Sequence, residues 1–312
     1  MSDIQECIDS FLSHCKFEKN LSPLSLKAYA IDLKQFSAFF ENTYMTRTID
    51  TVDKNIIRSY VIDISQILKP KTRKRKIATL KSFLNYLEYE DIILINPFRK
   101  LRMHIKEGIQ LPKTIDIKNI HKLFSHLYIQ KNKAIEGSSN LSKFYTRDIA
   151  ILELLFATGM RVSELSNLTP QSINLSKRSV LIKGKGNKER YIPIPNTEVV
   201  NILNTYYKLF KDNIIKINYF FINRLNQRFS EQSIRLMIRK YVKEIQIQQH
   251  ITPHMFRHSV ATLLLENGVD IRFIQNILGH STINTTQIYA QVNEAPKRKI
   301  LRLKHPRGKF SF

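Results

Sequence analysis

Six residues in the second half of the chain have side chains that could together cleave a phosphodiester. Two arginines can hold the non-bridging oxygens of a phosphate in bidentate fashion. Two histidines and a lysine can transfer protons and stabilise developing negative charge. A tyrosine hydroxyl can attack phosphorus and remain as a covalent phosphotyrosine. In chain order, these residues are Arg161, Lys185, His254, Arg257, His280 and Tyr289.

His254 and Arg257 are three residues apart, so on a helix they share one face and can reach the same phosphate. The spacing also suits a pair of zinc ligands, but no third ligand of the right type is near. No cluster of carboxylates accompanies the six residues. We therefore expect protein cations to hold the phosphate, with no metal and no other cofactor.

Four motifs contain these residues: ATGMRVSEL (157–165), GKGNKERYIPI (184–194), TPHMFRHSVAT (252–262) and LGHSTINTTQIY (278–289). Together and in this order they resemble the tyrosine recombinase family, and its Xer-like branch in particular. The family pattern is Arg, Lys, His-x-x-Arg, His and Tyr, and every position has its counterpart here. The resemblance covers nearly the whole chain.

The resemblance implies a mainly α fold with two domains that close as a C-shaped clamp around duplex DNA. An N-terminal helical core-binding (SAM-like) domain would precede an α-rich catalytic domain with a small antiparallel sheet. Tyr289 would form a 3′-phosphotyrosine, and Lys185 would protonate the leaving 5′-oxygen. The two arginines and two histidines would stabilise the transition state. Strand exchange would need four protomers on DNA, either copies of this chain or a second related recombinase.

The biological use and two other functions stay open at this stage. Dimer resolution in chromosome partition competes with integration, excision or inversion of a mobile element. The chain begins almost at the helical domain, without the arm-binding domain of lambda-type integrases, which favours the simpler Xer-like scheme. Residues 127–145 are longer than the usual Xer spacer, which keeps an element-borne enzyme open. A type IB topoisomerase and a non-catalytic DNA-binding protein are the alternatives.

Length and composition predict two domains in a cytoplasmic protein. The 312 residues are many for one core, and we place the domains at 1–106 and 115–312 with a linker at 107–114. Apolar residues make up 43% of the chain, yet no apolar run is long enough to span a membrane. The N-terminus lacks the pattern of a secretory signal. Cys7 and Cys15 are expected to be ordinary thiols of a reducing compartment.

The net charge of +24 predicts a polyanionic partner, and double-stranded DNA is the expected one. Residues 1–108 contain 18 Lys and Arg against 13 Asp and Glu, whereas the remainder contains 32 against 13. An acidic membrane surface is disfavoured, because no Lys-rich amphipathic helix with an aromatic face is evident. The predicted DNA contacts are Lys71, Arg73, Lys74, Arg75, Lys81, Lys188, Arg190, Gln232, Arg235 and Arg239.

Hydrophobic periodicity predicts the elements that position these residues. In the first domain, Ser22 is expected to cap a helix over 21–40 with Pro23 in its first turn, and helices follow over 53–65 and 72–89. A β-hairpin is predicted over 179–194. The basic tail, 297–309, has three possible roles: it is disordered, lies on DNA, or docks on a partner through Leu301 and Leu303. The remaining predicted helices are 116–128, 146–158, 162–168, 196–210, 230–245, 254–266, 270–277 and 284–289.

Overall fold

The computed structural model describes residues 2–103, 105, 113–138, 140–184, 189–279 and 300–310. The chain divides into two compact units, Met1–Gln110 and Leu111–Phe312. The first unit is helical, and the second is helical with one small antiparallel sheet. The predicted fold class is therefore confirmed.

Four helices form the N-terminal unit: α1 (Ile4–Phe17), α2 (Pro23–Tyr44), α3 (Lys54–Ile67) and α4 (Pro70–Tyr89). Helix α2 begins as predicted, because the Ser22 side chain accepts a hydrogen bond from the Ser25 backbone N–H and Pro23 occupies the first turn. Helix α4 also has a proline in its first turn, and it begins two residues before its predicted start. Local capping chemistry thus sets the starts of both helices.

The core of the N-terminal unit is aromatic and also takes up both cysteines. Cys7 and Cys15 lie in α1, are buried, and are free thiols. Burial raises the pKa of both thiols. The aromatic members of this core include Phe11, Phe36, Phe40, Tyr60 and Phe83.

The C-terminal unit consists of α5 (Ile117–Glu136), α6 (Ser142–Thr158), α7 (Val162–Ser166), β1 (Ile173–Asn174), β2 (Ser179–Lys183), β3 (Glu189–Pro193), α8 (Thr197–Ile217), α9 (Glu231–Glu244), α10 (Pro253–Glu266) and α11 (Ile271–Leu278). Helix α6 is its centre, since every residue from Thr146 to Thr158 is buried. A helix that is buried on all sides must be surrounded by other elements. Helices α5, α8 and α10 pack around it.

The predicted hairpin is confirmed as β2 and β3, which pair antiparallel with Val180 opposite Ile192 and Ile182 opposite Arg190. Val180, Ile182 and Ile192 point into the core, as the two-residue period of a strand requires. The short strand β1 adds a third strand next to β2. Its two residues offered no periodicity from which it could be predicted.

The segment 127–145, which is longer than the expected spacer, mostly extends two helices. Helix α5 continues to Glu136, eight residues past its predicted end, and α6 begins at Ser142, four residues before its predicted start. The boundaries were predicted from the apolar periodicity, and they were wrong because residues such as Lys, Gln, Ala and Glu continue a helix where that periodicity has ended. Gly137 follows directly and ends α5.

The C-terminal tail packs on helices of its own unit. Leu301 is buried, whereas 64% of Leu303 is exposed. The expectation that the two leucines act as an apolar pair was wrong, because residues two apart on a helix do not share a face. Arg307 is fully buried and donates two hydrogen bonds to Glu153 of α6, of 2.6 and 2.7 Å. It also donates to Glu198 of α8, at 2.9 Å.

Among the helices in the described part of the chain, none has both the length and the apolar character needed to cross a membrane.

Candidate active site

The structure describes three of the six predicted catalytic residues, namely Arg161, His254 and Arg257. Lys185, His280 and Tyr289 lie outside the described residues, together with Lys188 and the predicted helix over 284–289.

Arg161 lies at the turn where α6 has ended and α7 begins. Gly159 closes α6 in the left-handed conformation, with φ of +60°. A Cβ atom at this position would also lie 2.5 Å from Cδ2 of Leu278, at the end of α11. Glycine is therefore required both by the backbone and by the close approach of α11. The turn brings Arg161 next to the end of α11.

Two groups hold the Arg161 side chain in place. Its Nη1 donates to Oε1 of Glu164 at 2.9 Å, and its Nη2 donates to the carbonyl of Gly279 at 3.0 Å. Oε2 of Glu164 also accepts from the Arg161 backbone N–H at 2.8 Å. Glu164 thus both caps α7 and orients the arginine.

Arg257 comes from the buried face of α10 and reaches the same place. Its Nη1 donates to the carbonyl of Gly159 at 2.9 Å, and its Nη2 donates to the carbonyl of Leu278 at 2.5 Å. Burial and, after it, the charge of Arg161 lower the pKa of Arg257 to about 10. The guanidinium therefore remains charged at neutral pH.

His254 lies in the first turn of α10, one turn before Arg257, and is exposed. His258 is half-buried. Burial lowers the pKa of His258, and the neighbouring His254 and Arg257 lower it further, so its imidazole is neutral at pH 7. Of these two histidines, His254 is the one open to a ligand.

The two arginines lie close together at the end of α11. Arg161 and Arg257 donate to the consecutive carbonyls of Gly279 and Leu278, so their guanidiniums lie side by side. Two adjacent guanidiniums can bind the non-bridging oxygens of one phosphate and stabilise the charge that develops when it is attacked. The next residue along the chain is His280.

Arg190 was predicted to contact DNA phosphates, but the structure turns it inward. Its Nη1 and Nη2 donate to the two oxygens of Glu164 at 3.0 and 2.8 Å, and its Nε donates to the carbonyl of Ile277 at 2.9 Å. Its side chain is 13% exposed. Sequence reasoning missed this role because Arg190 and Glu164 are 26 residues apart and lie on different elements.

The predicted contacts on α4 divide into exposed and half-buried residues. Lys71, Lys74, Arg75 and Lys81 are exposed, whereas Arg73 is half-buried. The neighbouring Lys76, which belongs to the same basic run, is buried and donates to Oδ1 of Asp32 at 2.9 Å. The exposed members form a basic surface at the start of α4, of the kind that binds a phosphate backbone.

The predicted contacts on α9 lie on one exposed face. Gln232, Arg235 and Arg239 are all exposed, and they follow one another at helical spacing. Arg235 also forms an ion pair with Glu231, one turn earlier, at 2.7 Å. The buried face of the same helix consists of Ile234, Met237, Ile238 and Tyr241.

Sequence comparison identifies both units. The model of the phage integrase family matches residues 116–295. The model of the phage integrase N-terminal SAM-like domain matches residues 8–91.

Characterised relatives match the chain from end to end. A tyrosine recombinase of Agathobacter rectalis is 44% identical over 312 residues, which is all of both chains. The tyrosine recombinase XerC of Oceanobacillus iheyensis is 32% identical, over 99% of this chain and 98% of the relative. The tyrosine recombinase XerD of Staphylococcus epidermidis is 34% identical, over 96% and 99%.

Solved structures share the fold. The XerH site-specific recombinase bound to its difH substrate aligns with a TM-score of 0.68 at 19% identity, over 94% of this chain and 82% of that one. A lambda integrase dimer bound to a core site aligns with a TM-score of 0.67 at 15% identity, over 92% and 100%. Both units, the match along the full length and the paired arginines agree: this chain belongs to the phage integrase family of tyrosine recombinases.

Proposed function

We propose that this chain is a site-specific DNA recombinase of the Xer-like type, which cuts and rejoins duplex DNA through a phosphotyrosine at Tyr289. The observation that carries the proposal is the convergence of Arg161 and Arg257 on the end of α11. His280 follows that end directly, and Tyr289 is nine residues further along the chain. The matches to XerC and XerD proteins over almost their whole length support the Xer-like scheme.

In the proposed reaction, the Tyr289 hydroxyl gives its proton to a histidine of the site, its oxygen attacks the scissile phosphorus, and the bond from phosphorus to the 5′-oxygen breaks. Lys185 gives its proton to that 5′-oxygen, which leaves as a hydroxyl. Arg161, Arg257, His254 and His280 stabilise the charge on the non-bridging oxygens. The phosphotyrosine retains the bond energy, so a 5′-hydroxyl of the partner strand can reverse the step without a nucleotide or a metal.

The same proposal places the chain on cytoplasmic DNA as an assembly. Exchange between two duplexes needs four active sites. Lambda integrase, which shares the fold, has been solved as a tetramer bound to a Holliday junction. The exposed basic residues of α4 and the exposed face of α9 supply the phosphate and base contacts in this scheme.

A Tyr289→Phe variant tests the proposal. Wild-type protein is incubated, in EDTA, with random-sequence duplexes that each carry a nick, and covalent adducts are separated on a denaturing gel and sequenced. The wild type should form adducts with one class of site. Tyr289→Phe should bind that site with unchanged affinity and form none, because the attacking oxygen is gone.

Tyr191→Phe is the matched control, since Tyr191 is an exposed tyrosine on β3, and it should form adducts normally. An adduct that persists in Tyr289→Phe would contradict the assignment, as would cleavage that requires added magnesium. Relaxation of supercoils without exchange between duplexes would instead favour the type IB topoisomerase alternative.

A further inference from the structure

Three consecutive carbonyls at the end of α11 each accept a hydrogen bond from a different arginine. Ile277 accepts from Arg190 of β3, Leu278 from Arg257 of α10, and Gly279 from Arg161 at the start of α7. The last carbonyls of a helix lack partners within the helix and carry its partial negative charge. The end of α11 is therefore a point where three cations from three elements meet.

The residues around the end of α11 are tightly packed. Gly279 has φ of +67°, and a Cβ atom there would lie 3.0–3.2 Å from the guanidinium atoms of Arg190. The Arg190 guanidinium thus lies directly against Gly279. Gly159, just before α7, approaches Leu278 closely as well. The end of α11 therefore packs between the segment that leads into α7 and β3.

Glu164 is the counter-ion that Arg190 and Arg161 share. Its Oε1 accepts from both guanidiniums, and its Oε2 accepts from Arg190 and from the Arg161 backbone. Burial raises the pKa of Glu164, but the hydrogen bonds from Arg190 and Arg161 outweigh it, and the pKa is lowered overall. The carboxylate is ionised, and its four acceptor positions are all used.

The two arginines differ in what they can still bind. The Arg161 side chain is 36% exposed, and its described hydrogen bonds use one N–H of each terminal nitrogen. Arg190 is more buried, and its Nε, Nη1 and Nη2 all donate to protein groups. Arg161 therefore keeps one N–H on each terminal nitrogen for a phosphate, whereas all three nitrogens of the Arg190 guanidinium are taken by protein groups.

We propose that Arg190 is a positioning residue of the recombinase. It shares Glu164 with Arg161, so that Arg161 keeps donors for the phosphate, and it holds the end of α11 in place. Without Arg190, the carboxylate would pair fully with Arg161, and the charge that Arg161 offers to the scissile phosphate would be reduced. The end of α11, from which His280 continues, would also lose its tie to β3. The inference depends on the proposed function and explains why a buried arginine lies behind an anion site.

The test measures single-turnover cleavage of the duplex recovered from the Tyr289 experiment, once with its natural scissile phosphate and once with a methylphosphonate. The methylphosphonate carries no negative charge, so its cleavage depends less on the charge of Arg161. Arg190→Gln should slow cleavage of the phosphate about 10- to 100-fold, the effect of a misplaced catalytic group. On the methylphosphonate, the loss relative to wild type should be several-fold smaller.

Two further variants make the readout specific. Arg190→Lys restores a positive charge beside Glu164 and should recover part of the rate on the phosphate. In a Glu164→Gln background, Arg190→Gln should cost less than it does in the wild type, because the carboxylate that would capture Arg161 is gone.

Arg147→Gln is the matched structural control. Arg147 is a buried arginine of α6 that pairs with Asp148, at 2.7 Å, and it takes no part in the Glu164 cluster. Its loss should lower the melting temperature and should affect both substrates by the same factor.

Three results would overturn the inference while wild-type cleavage upholds the proposed function. The first is a wild-type rate in Arg190→Gln. The second is an equal loss on both substrates, as in Arg147→Gln, which would make the role purely structural. The third is unchanged cleavage with weaker, less salt-dependent binding, which would make Arg190 a phosphate contact after all. Failure of the wild type to cleave would instead refute the proposed function itself.

Discussion

Each unit of the molecule contains a buried carboxylate that holds two cations, one buried and one open. In the N-terminal unit, Asp32 of α2 holds Lys76 and Arg75 of α4, whose side chains are 5% and 47% exposed. In the catalytic unit, Glu164 likewise holds one buried and one more open arginine. In both units, the carboxylate therefore holds one cation in the interior and leaves the other exposed, where a ligand can reach it.

The two clusters differ in how firmly the presented cation is held. Arg75 donates through Nη1 to Asp32, and no second anchor for it is found among the described residues. Arg161 is anchored both by Glu164 and by the main-chain carbonyl of Gly279. A side chain with one anchor can follow a flexible backbone phosphate. A side chain with two anchors on different elements has a fixed position, which suits catalysis better than general binding.

The largest effect should come from a third buried carboxylate, Glu153, for which the described residues supply one cation, the buried Arg307. Arg307→Met removes the partner of a fully buried charge, and breaking such a pair costs about 3–5 kcal/mol. The free energy of unfolding, measured in urea, should fall by this amount. The exposed Lys304, changed to Met, is the control and should leave it unchanged. A wild-type unfolding curve for Arg307→Met would show that the tail does not hold the catalytic unit together.

Next in size is the effect of replacing each presented arginine by lysine, which keeps the charge and removes the planar fork. Arg161→Lys should reduce cleavage by about 10²- to 10³-fold, as for loss of one oriented donor at the reacting phosphate. Arg75→Lys should change cleavage by less than about threefold, because a point charge satisfies a backbone phosphate. Single-turnover rates on one duplex compare the two variants. Similar losses in both would remove the distinction between fixed and adjustable cations.

The smallest effect should be on the salt dependence of binding. Arg75→Gln removes one of the proposed phosphate contacts, so the slope of log K against log salt should become shallower by about one. Saturating protein should restore the cleavage rate, because Arg75 takes no part in the reaction. Arg99→Gln is the control, since Arg99 pairs with Glu88 and lies outside the basic surface of α4. An unchanged slope for Arg75→Gln would mean that Asp32 keeps this arginine from DNA.

Local features were predictable from the sequence, because the residues that decide them are neighbours in the chain. Ser22 and Pro23 specify the start of α2, and the alternating apolar residues around Gly184 specify the hairpin of β2 and β3. The six-residue pattern from Arg161 to Tyr289 identified the family that the comparisons show. It also assigned Lys185, His280 and Tyr289, for which the sequence remains the only basis.

The sequence alone determined the family, the two-unit helical fold and which residues to test, whereas tertiary structure decided which cations face inward. Lys76 and Arg75 are adjacent in a basic run, yet only Lys76 is buried. Asp32, to which Lys76 donates, is 44 residues away on another helix, so the run itself does not show which cation is buried. Arg307 and Glu153 are 154 residues apart, and nothing near either predicts their ion pair. The sequence predicted Arg190 as a DNA contact, whereas in the folded protein it donates to Glu164 and to the end of α11. A charge is exposed or buried according to what packs on it, and distant segments supply that packing.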